Sequence, residues 1–372
     1  VSRIRPATLH DLTALLRLEQ SCFDGDRISR RSFRYLLTRA NALTLIVDPD
    51  PSEESAPGYL MLLFHSGTSL GRIYSIAVSA TARGRGLGRQ LVAAAEAAAL
   101  ARDCGWLRLE VRIDNDASIA LFRGCGYRQF GRYLDYYEDH AEALRFEKPL
   151  LPAQVPARVE KPYYRQTLEF TCGPAALLMA MQALDPTLQV SRRDEIHIWR
   201  ESTSIFMTSG IGGCGPYGLA LAAARRGFRV EIFVNARSDH FIDSVRSAEK
   251  KGVMRLVEAD FEQQIREQHL PLHETPLSLA ELQQALYEGA VPVVLISSYR
   301  IYREKFPHWV TVTGCDDRFI YINDPYIDEA QETTTITDRC HMPILFSDFE
   351  RMARYGRRAL RAALLLRPLA QS

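Results

Sequence analysis

Two constellations in this 372-residue chain combine residue types and spacings that suit chemistry. The first is Arg83-Gly84-Arg85-Gly86-Leu87-Gly88, set between the apolar stretch Ile73–Val78 and the alanine-rich run Leu87–Arg102. Glycine lets a backbone approach a ligand closely, and the free N–H groups and dipole of a helix N-terminus attract anions, so strand, glycine loop and helix together make a phosphate cradle. The run reads G-x-G-x-G. It lacks the final spacing of the dinucleotide fingerprint and the Gly-Lys-Ser/Thr ending of a P-loop, which points to a phosphorylated cofactor of another kind.

The second constellation is a cysteine with a distant histidine. Cys172 opens Cys172-Gly173-Pro174-Ala175-Ala176, immediately ahead of the apolar helical pattern Gly173–Leu184. A thiol at a helix N-terminus has its thiolate stabilised by the macrodipole, and a buried apolar helix holds it rigidly. His308 lies 136 positions downstream, comparable with the roughly 130–150 of papain-like enzymes. A tight turn at Cys315-Asp316-Asp317 between strands Trp309–Gly314 and Arg318–Asn323 sets His308 and Asp324 almost opposite each other, so the carboxylate can orient the imidazole. Cys214-Gly215-Pro216 repeats the Cys-Gly-Pro string and is the rival nucleophile; its glycine-rich setting, 210–218, suits cleft lining or a helix cap better.

The elements that must position these residues fall into two halves. Before residue 150, strands at Leu43–Val47, Tyr59–His65, Ile73–Val78 and Leu107–Val111 are interspersed with helical patterns at Asp11–Gln20, Ser32–Thr38, Leu87–Arg102 and Asn115–Gly124, an α/β alternation. Pro149, Pro152, Pro156 and Pro162 are too dense for a helix or central strand and mark a linker. After it come helices at Gly173–Leu184, Gly218–Arg226 and Leu279–Glu288, the last capped by Ser278, and strands at Phe228–Val234, Val291–Ser297, Trp309–Gly314 and Arg318–Asn323. Helices come first in this half, antiparallel strands later.

A formal net charge of +1 argues against a polyanionic partner such as nucleic acid or an anionic membrane surface. The N-terminus has no signal-peptide core, and no apolar run approaches the roughly 20 residues that span a bilayer. Seven scattered cysteines without a C-x-x-C pair fit a reducing compartment, and nine histidines without H-x-x-x-H spacing argue against a metal site. The expected setting is cytoplasmic, with no metal and no membrane partner.

Arg83, Gly86 and Gly88 after a strand, then Leu107–Arg112, then Asn115 with Ala117, Ile119, Ala120, Leu121 and Phe122, and finally Gly124-Cys125-Gly126-Tyr127 form an ordered series. In this series residues 2–150 resemble the GNAT superfamily of acetyltransferases, whose defining motif is Arg/Gln-x-x-Gly-x-Gly/Ala, and come close to the ribosomal-protein alanine N-acetyltransferases. The resemblance implies acetyl-CoA as cofactor. Its contacts would be Ile76, Ala77 and Val78 on a splayed strand end, Arg83, Gly84, Arg85, Gly86, Leu87, Gly88 and Arg89 in the cradle, and Asn115. It also implies Glu110 as the general base that deprotonates an incoming amine, directly or through water. Relatives often carry a tyrosine where this chain has Phe122; Tyr136 and Tyr137 are candidates to replace it or to line the acceptor pocket.

Gln166 precedes the cysteine in Gln166-Thr167-Leu168-Glu169-Phe170-Thr171-Cys172, and Cys214 has no such glutamine. With His308 and Asp324, this makes residues 160–345 resemble the papain-like peptidases that process double-glycine leader peptides of bacteriocins. The resemblance implies Cys172 as nucleophile, His308 as base, Asp324 as its orienter and Gln166 as oxyanion-hole donor. The expected molecule is α/β (α+β): a GNAT fold at 1–150, a proline-rich linker at 151–162 and a papain-like fold at 163–372. It would be a bifunctional protein, an N-acetyltransferase acting on an amine of a peptide or protein, fused to a cysteine peptidase or acyl-transfer domain. The alternative is that the second half binds a peptide without cleaving it and delivers it to the first.

Overall fold

The computed structural model describes residues 3–49, 55–151, 162–203, 206–207, 210–236, 240–242, 245–327 and 336–368. Of the proline-rich linker, residues 152–161 lie outside the described residues. The chain divides into two compact units, Val1–Ala153 and Gln154–Ser372, each built on its own sheet.

In the first unit, β1 (Ile4–Pro6), β2 (Ala42–Val47), β3 (Gly58–Phe64), β4 (Leu70–Val78), β5 (Trp106–Arg112), β6 (Arg128–Tyr133) and β7 (Ala143–Pro149) form one sheet in the order β1-β2-β3-β4-β5-β7-β6. Four helices accompany it: α1 (Leu12–Cys22), α2 (Arg30–Thr38), α3 (Leu87–Leu100) and α4 (Asp116–Gly124). β3 is buried along its whole length because its residues alternate between two cores: Leu60, Leu62 and Phe64 join the cluster of α3, while Tyr59, Met61 and Leu63 join that of α1 and α2. β4 and β5 run parallel and pair only over Leu70–Arg72 with Trp106–Arg108, although β4 continues to Val78 and β5 to Arg112. Beyond Arg72 the two strands splay. β1, β6 and β7 have no counterpart in the sequence reading: β1 is three residues long and β6, Arg-Gln-Phe-Gly-Arg-Tyr, has no apolar alternation.

The second unit contains α5 (Cys172–Leu184), α6 (Arg192–Ser202), β8 (Phe206–Met207), β9 (Gly210–Ile211), α7 (Pro216–Ala224), β10 (Phe228–Val234), α8 (Ala248–Glu267) and β11 (Leu272–His273). It continues with α9 (Leu279–Tyr287), β12 (Val291–Ser297), α10 (Tyr299–Tyr302), β13 (Pro307–Cys315), β14 (Phe319–Asn323), β15 (Met342–Leu345), α11 (Phe346–Met352) and β16 (Ala362–Pro368). Its main sheet has the order β11-β10-β16-β12-β13-β14-β15, so the last strand of the chain lies between β10 and β12. This amends the expectation of helices followed by an antiparallel run: β10, early in the unit, pairs in parallel with β11 and joins β12 to β15 through β16. Ser278 caps α9 in a full capping box with Glu281.

Helices α5 and α7 are apolar on every side and sit inside the core, and α7 packs so closely on α6 that Gly218 leaves no room for a side chain. A Cβ there would lie 2.5 Å from the Ser202 carbonyl oxygen and 2.6 Å from its Cα. Backbone cannot swing away as a flexible side chain can. Gly218→Ala is therefore expected to cost about 2–4 kcal/mol, a fall of about 5–15 °C in the melting temperature of a unit this size, read by scanning calorimetry; a melt within 2 °C of wild type would contradict the packing argument.

Candidate functional site

In the second unit, Cys172 is the first residue of α5 rather than the residue before it, with Thr171 as N-cap. Two contacts seat the start of this helix on β13. The Thr311 hydroxyl donates to the Ala176 carbonyl at 2.8 Å, and Gly173, where a Cβ would lie 3.2 Å from the Trp309 ring, permits the close approach. His308 is the second residue of β13, which begins one residue earlier, at Pro307. A bulge between Val312 and Gly314 shifts the β13–β14 register, and Asp324 follows directly after β14. The His308 Nε2 lies 2.7 Å from Asp324 Oδ1, with both side chains buried. With Nε2 held there, Nδ1 is the ring nitrogen left for Cys172, which lies near enough to this imidazole to favour its protonated form.

The electrostatics follow from that arrangement. Burial by itself disfavours an imidazolium, but the Asp324 carboxylate and the Cys172 thiol outweigh it and raise the His308 pKa to about 10. Burial likewise opposes the Asp324 carboxylate; His308, Arg339 and the Tyr302 hydroxyl overcome this and hold its carboxyl below the ordinary range. Tyr302 donates to Asp324 Oδ2 at 2.6 Å and the Tyr326 N–H to Oδ1 at 3.0 Å, while the Arg339 guanidinium lies 4.9 Å over the Tyr302 ring. Cys214, the rival, is in a different state. Burial, reinforced by the nearby Cys172, pushes its thiol well up, and its carbonyl accepts the Trp309 indole N–H at 3.0 Å.

Gln166 is buried; its Nε2 donates to the Leu168 carbonyl at 2.8 Å and its Oε1 has no hydrogen-bond partner among the described residues. An amide nitrogen has two N–H groups, so one remains for a second acceptor. The segment that carries Gln166 to Cys172 is tied to α6 by Glu195, a fully buried carboxylate. It accepts from Thr167 N and Thr167 Oγ1 at 2.8 Å each, from the Tyr164 hydroxyl at 2.9 Å and from the Thr171 hydroxyl.

In the first unit, the cradle has the geometry its glycines suggest. Gly84 and Gly86 adopt φ of +78° and +77°, where a side chain is strained, and nothing lies within 4 Å of a Cβ built on either. Gly86 is the N-cap of α3, so the first N–H groups of that helix, at Leu87, Gly88 and Arg89, have no intrahelical acceptor. Gly88 is glycine for another reason: its Cβ would meet Leu121 of α4 at 3.2 Å. The Arg83 Nε donates to the Val78 carbonyl at 3.4 Å, and Arg85 is exposed. Ile76 and Val78 are half-buried and Ala77 is buried, on the part of β4 that is splayed from β5. Asn115 caps α4, its Oδ1 accepting from Ser118 N at 3.0 Å.

Glu110 lies on β5 just past the splay, its side chain 4% exposed, and its Oε2 accepts from Arg72 Nε at 2.8 Å. Its Oε1 is buried and accepts nothing from the described residues. Arg72 Nη2 also donates to the Tyr136 hydroxyl at 2.8 Å, and Tyr136 stacks edge-on against Tyr137 with ring centroids 5.1 Å apart. Burial, then Tyr136 and Glu110, push the Tyr137 phenol upward, so it stays protonated. Glu110, Tyr136 and Tyr137 are thus neighbours. Phe122 is a core residue, 2% exposed and edge-on to Tyr127 at 5.4 Å.

Residues 161–367 match the Peptidase_C39 like family, more than half of the chain. The chain belongs to that family. Residues 12–127 of this Peptidase_C39 like protein match the Acetyltransferase (GNAT) family, so it joins two domains of known kinds. Two relatives match its first part. The N-alpha-acetyltransferase MAK3 of Arabidopsis thaliana is 32% identical over 100 residues, 26% of this chain and 52% of the relative. The N-alpha-acetyltransferase 30 of Saccharomyces cerevisiae is 30% identical over 123 residues, 32% of this chain and 70% of the relative. The chain therefore spans about half the length of the first of these. Among solved structures, the ribosomal-protein-S18-alanine N-acetyltransferase from Escherichia coli aligns with a TM-score of 0.37 at 22% identity, covering 43% of this chain and all 100% of that one.

Four residues of this Peptidase_C39 like protein escaped the sequence reading: Arg72, Glu195, Tyr302 and Arg339. Each acts through a partner far away in the chain, and none stands in a motif that would single it out. Among the described residues, no group of three or more His, Cys, Asp or Glu is placed to hold a metal ion, and no helix is long and apolar enough to cross a membrane.

Proposed function

We propose that the first unit is an acetyl-CoA-dependent N-acetyltransferase whose acceptor is an amine of a peptide or protein, and that the second is a cysteine enzyme acting on peptides through Cys172. The observation that carries the first part is Glu110 Oε1, a buried acceptor without a partner among the described residues, at the splay of β4 and β5. The open space at Gly84 and Gly86 ahead of α3 suits a pyrophosphate, held by the N–H groups of the 84–89 turn with Arg83, Arg85 and Arg89 near it. When bound, acetyl-CoA supplies an acetyl group as a thioester. Glu110 Oε1 takes a proton from the acceptor ammonium and so frees the nitrogen lone pair for attack. Two named relatives are N-alpha-acetyltransferases, which favours an α-amine as acceptor.

In the second unit, His308 is held by Asp324 and lies near Cys172, and this favours an enzyme over a passive peptide-binding module. The Cys172 sulfur would attack a carbonyl carbon of the peptide, the imidazolium would give its proton to the departing amine, and water or a second amine would release the acyl group from the thioester. Gln166 and the N–H groups at the start of α5 are the donors for the oxygen on which charge develops.

Incubating the full chain with acetyl-CoA and a peptide library varied in its first residues should yield N-terminally acetylated products by mass spectrometry. Release of coenzyme A with no modified peptide or protein amine would sink the acceptor assignment. Absence of any acetyl-CoA binding would sink the cofactor assignment.

A further inference from the structure

Arg72 is the last residue of β4 paired with β5, opposite Arg108. Glu110 stands two residues beyond Arg108 on β5 and, by strand alternation, on the same face. The guanidinium therefore reaches across the start of the splay, where no strand-to-strand pairing fixes Glu110 from that side. Nε takes Glu110 Oε2 and Nη2 takes the Tyr136 hydroxyl, both at 2.8 Å, so one rigid planar group links the carboxylate to the segment between β6 and β7. Arg72 and Glu110 side chains are each 4% exposed, which leaves little water to screen the pair. The result is asymmetric: one carboxylate oxygen is occupied and the other, Oε1, faces no donor among the described residues.

We propose that Arg72 is a positioning residue that holds the Glu110 carboxylate oriented, with Oε2 locked and Oε1 as the single proton acceptor. This rests on the reading of Glu110 as the base. Removing a cation from beside a buried carboxylate favours its protonated form. Arg72 also sets direction, because a guanidinium bound at Nε and Nη2 cannot rotate without breaking both bonds. Lysine could supply the charge at this place but, as a point donor on a flexible stem, could not supply the second tie to Tyr136 in fixed geometry.

The test compares the wild-type chain, Arg72→Gln, Arg72→Lys and Glu110→Gln with acetyl-CoA and one acceptor peptide over pH 5–10. Acetyl-CoA affinity is measured alongside by calorimetry. Arg72→Gln should lose at least tenfold in kcat/KM at pH 7, with the acid limb of its profile displaced upward by about one pH unit or more and activity recovering at high pH. Its acetyl-CoA affinity should stay within about twofold, since the cradle is built from other residues. Arg72→Lys should keep the wild-type limb and lose rate a few-fold. The acceptor's own ionisation is common to all variants, so a displaced limb belongs to the protein.

An Arg72→Gln profile matching wild type, with Glu110→Gln inactive, overturns the positioning role and leaves the reading of Glu110 intact. A fully active Glu110→Gln overturns that reading, and the role of Arg72 with it. If Arg72→Gln fails to fold, Arg72→Lys decides: reduced rate on an unmoved limb supports the proposal, and an unchanged rate overturns it.

Discussion

Cys172→Ala abolishes the fast phase of iodoacetamide labelling at near-neutral pH, and Cys214→Ala leaves it intact; the half-buried Cys22, Cys125, Cys315 and Cys340 account for the slow remainder. The two thiols share a Cys-Gly-Pro string, yet one stands at a helix start beside an imidazole and the other is sealed in the core. A thiol beside an imidazole has its activating base in place, so Cys172 reacts first. His308→Ala removes that base, and labelling of this variant should slow by about tenfold or more. Equal labelling of wild type and Cys172→Ala, located by peptide mapping, would move the reactive thiol elsewhere.

The same pair makes stability depend on pH. The folded pKa of His308, about 10, lies above its ordinary 6.5, so its contribution is complete below 6.5 and is lost as pH rises through about 10. Asp324 has the opposite sign: its lowered pKa makes a contribution present above its ordinary 3.8 and lost as pH falls through the folded value. Melting temperature of the second unit should therefore be highest between these windows and decline toward pH 10. In His308→Ala the alkaline decline should flatten, and a decline as steep as wild type would contradict the assignment.

Glu110→Gln lowers kcat for acetyl transfer by about 100- to 10,000-fold, the usual worth of a positioned general base. It also breaks a buried ion pair and leaves the Arg72 cation without its carboxylate, a cost of about 3–5 kcal/mol in stability. Folding and catalysis can be separated by the double variant. Replacing Arg72 and Glu110 together with glutamine removes both charges, so the melt should recover toward wild type while turnover does not. Recovery of turnover with stability would show that Glu110 serves the fold rather than the chemistry. Single-turnover rates and a thermal melt on each variant are sufficient.

Much of this molecule was legible in order along the chain. The glycine run had its meaning in the sequence because each of its constraints is local: Gly84 and Gly86 need a left-handed backbone, and the helix that follows needs only its own alanine-rich propensity. The Cys-Gly-Pro string ahead of an apolar helix was equally plain, and both matching families lie where these motifs stand. Strands β2 to β5, with long apolar runs, were visible, whereas β6 and the three residues of β1 are strands only because a neighbour supplies the hydrogen bonds.

The partners of those residues were a different matter. Sequence placed Glu110 on a strand but could not show Arg72 beside it, because contact between positions 38 apart depends on where β4 and β5 cease to pair. It favoured Cys172 over Cys214 by the upstream Gln166 and the glycine-rich setting of Cys214, but it could not show that packing buries Cys214 while an imidazole lies against Cys172. Glu195, Tyr302 and Arg339 carry no pattern at all. Glu195 and Arg339 are buried, where a charge without a partner is costly, and Tyr302 acts through its bond to Asp324, so what they do is decided by the folded surroundings rather than by their neighbours in the chain. Sequence by itself determined which residues are chemically capable and which local backbone they need; the tertiary structure decided which of them are charged, oriented and paired, because those properties depend on solvent exclusion and long-range contact.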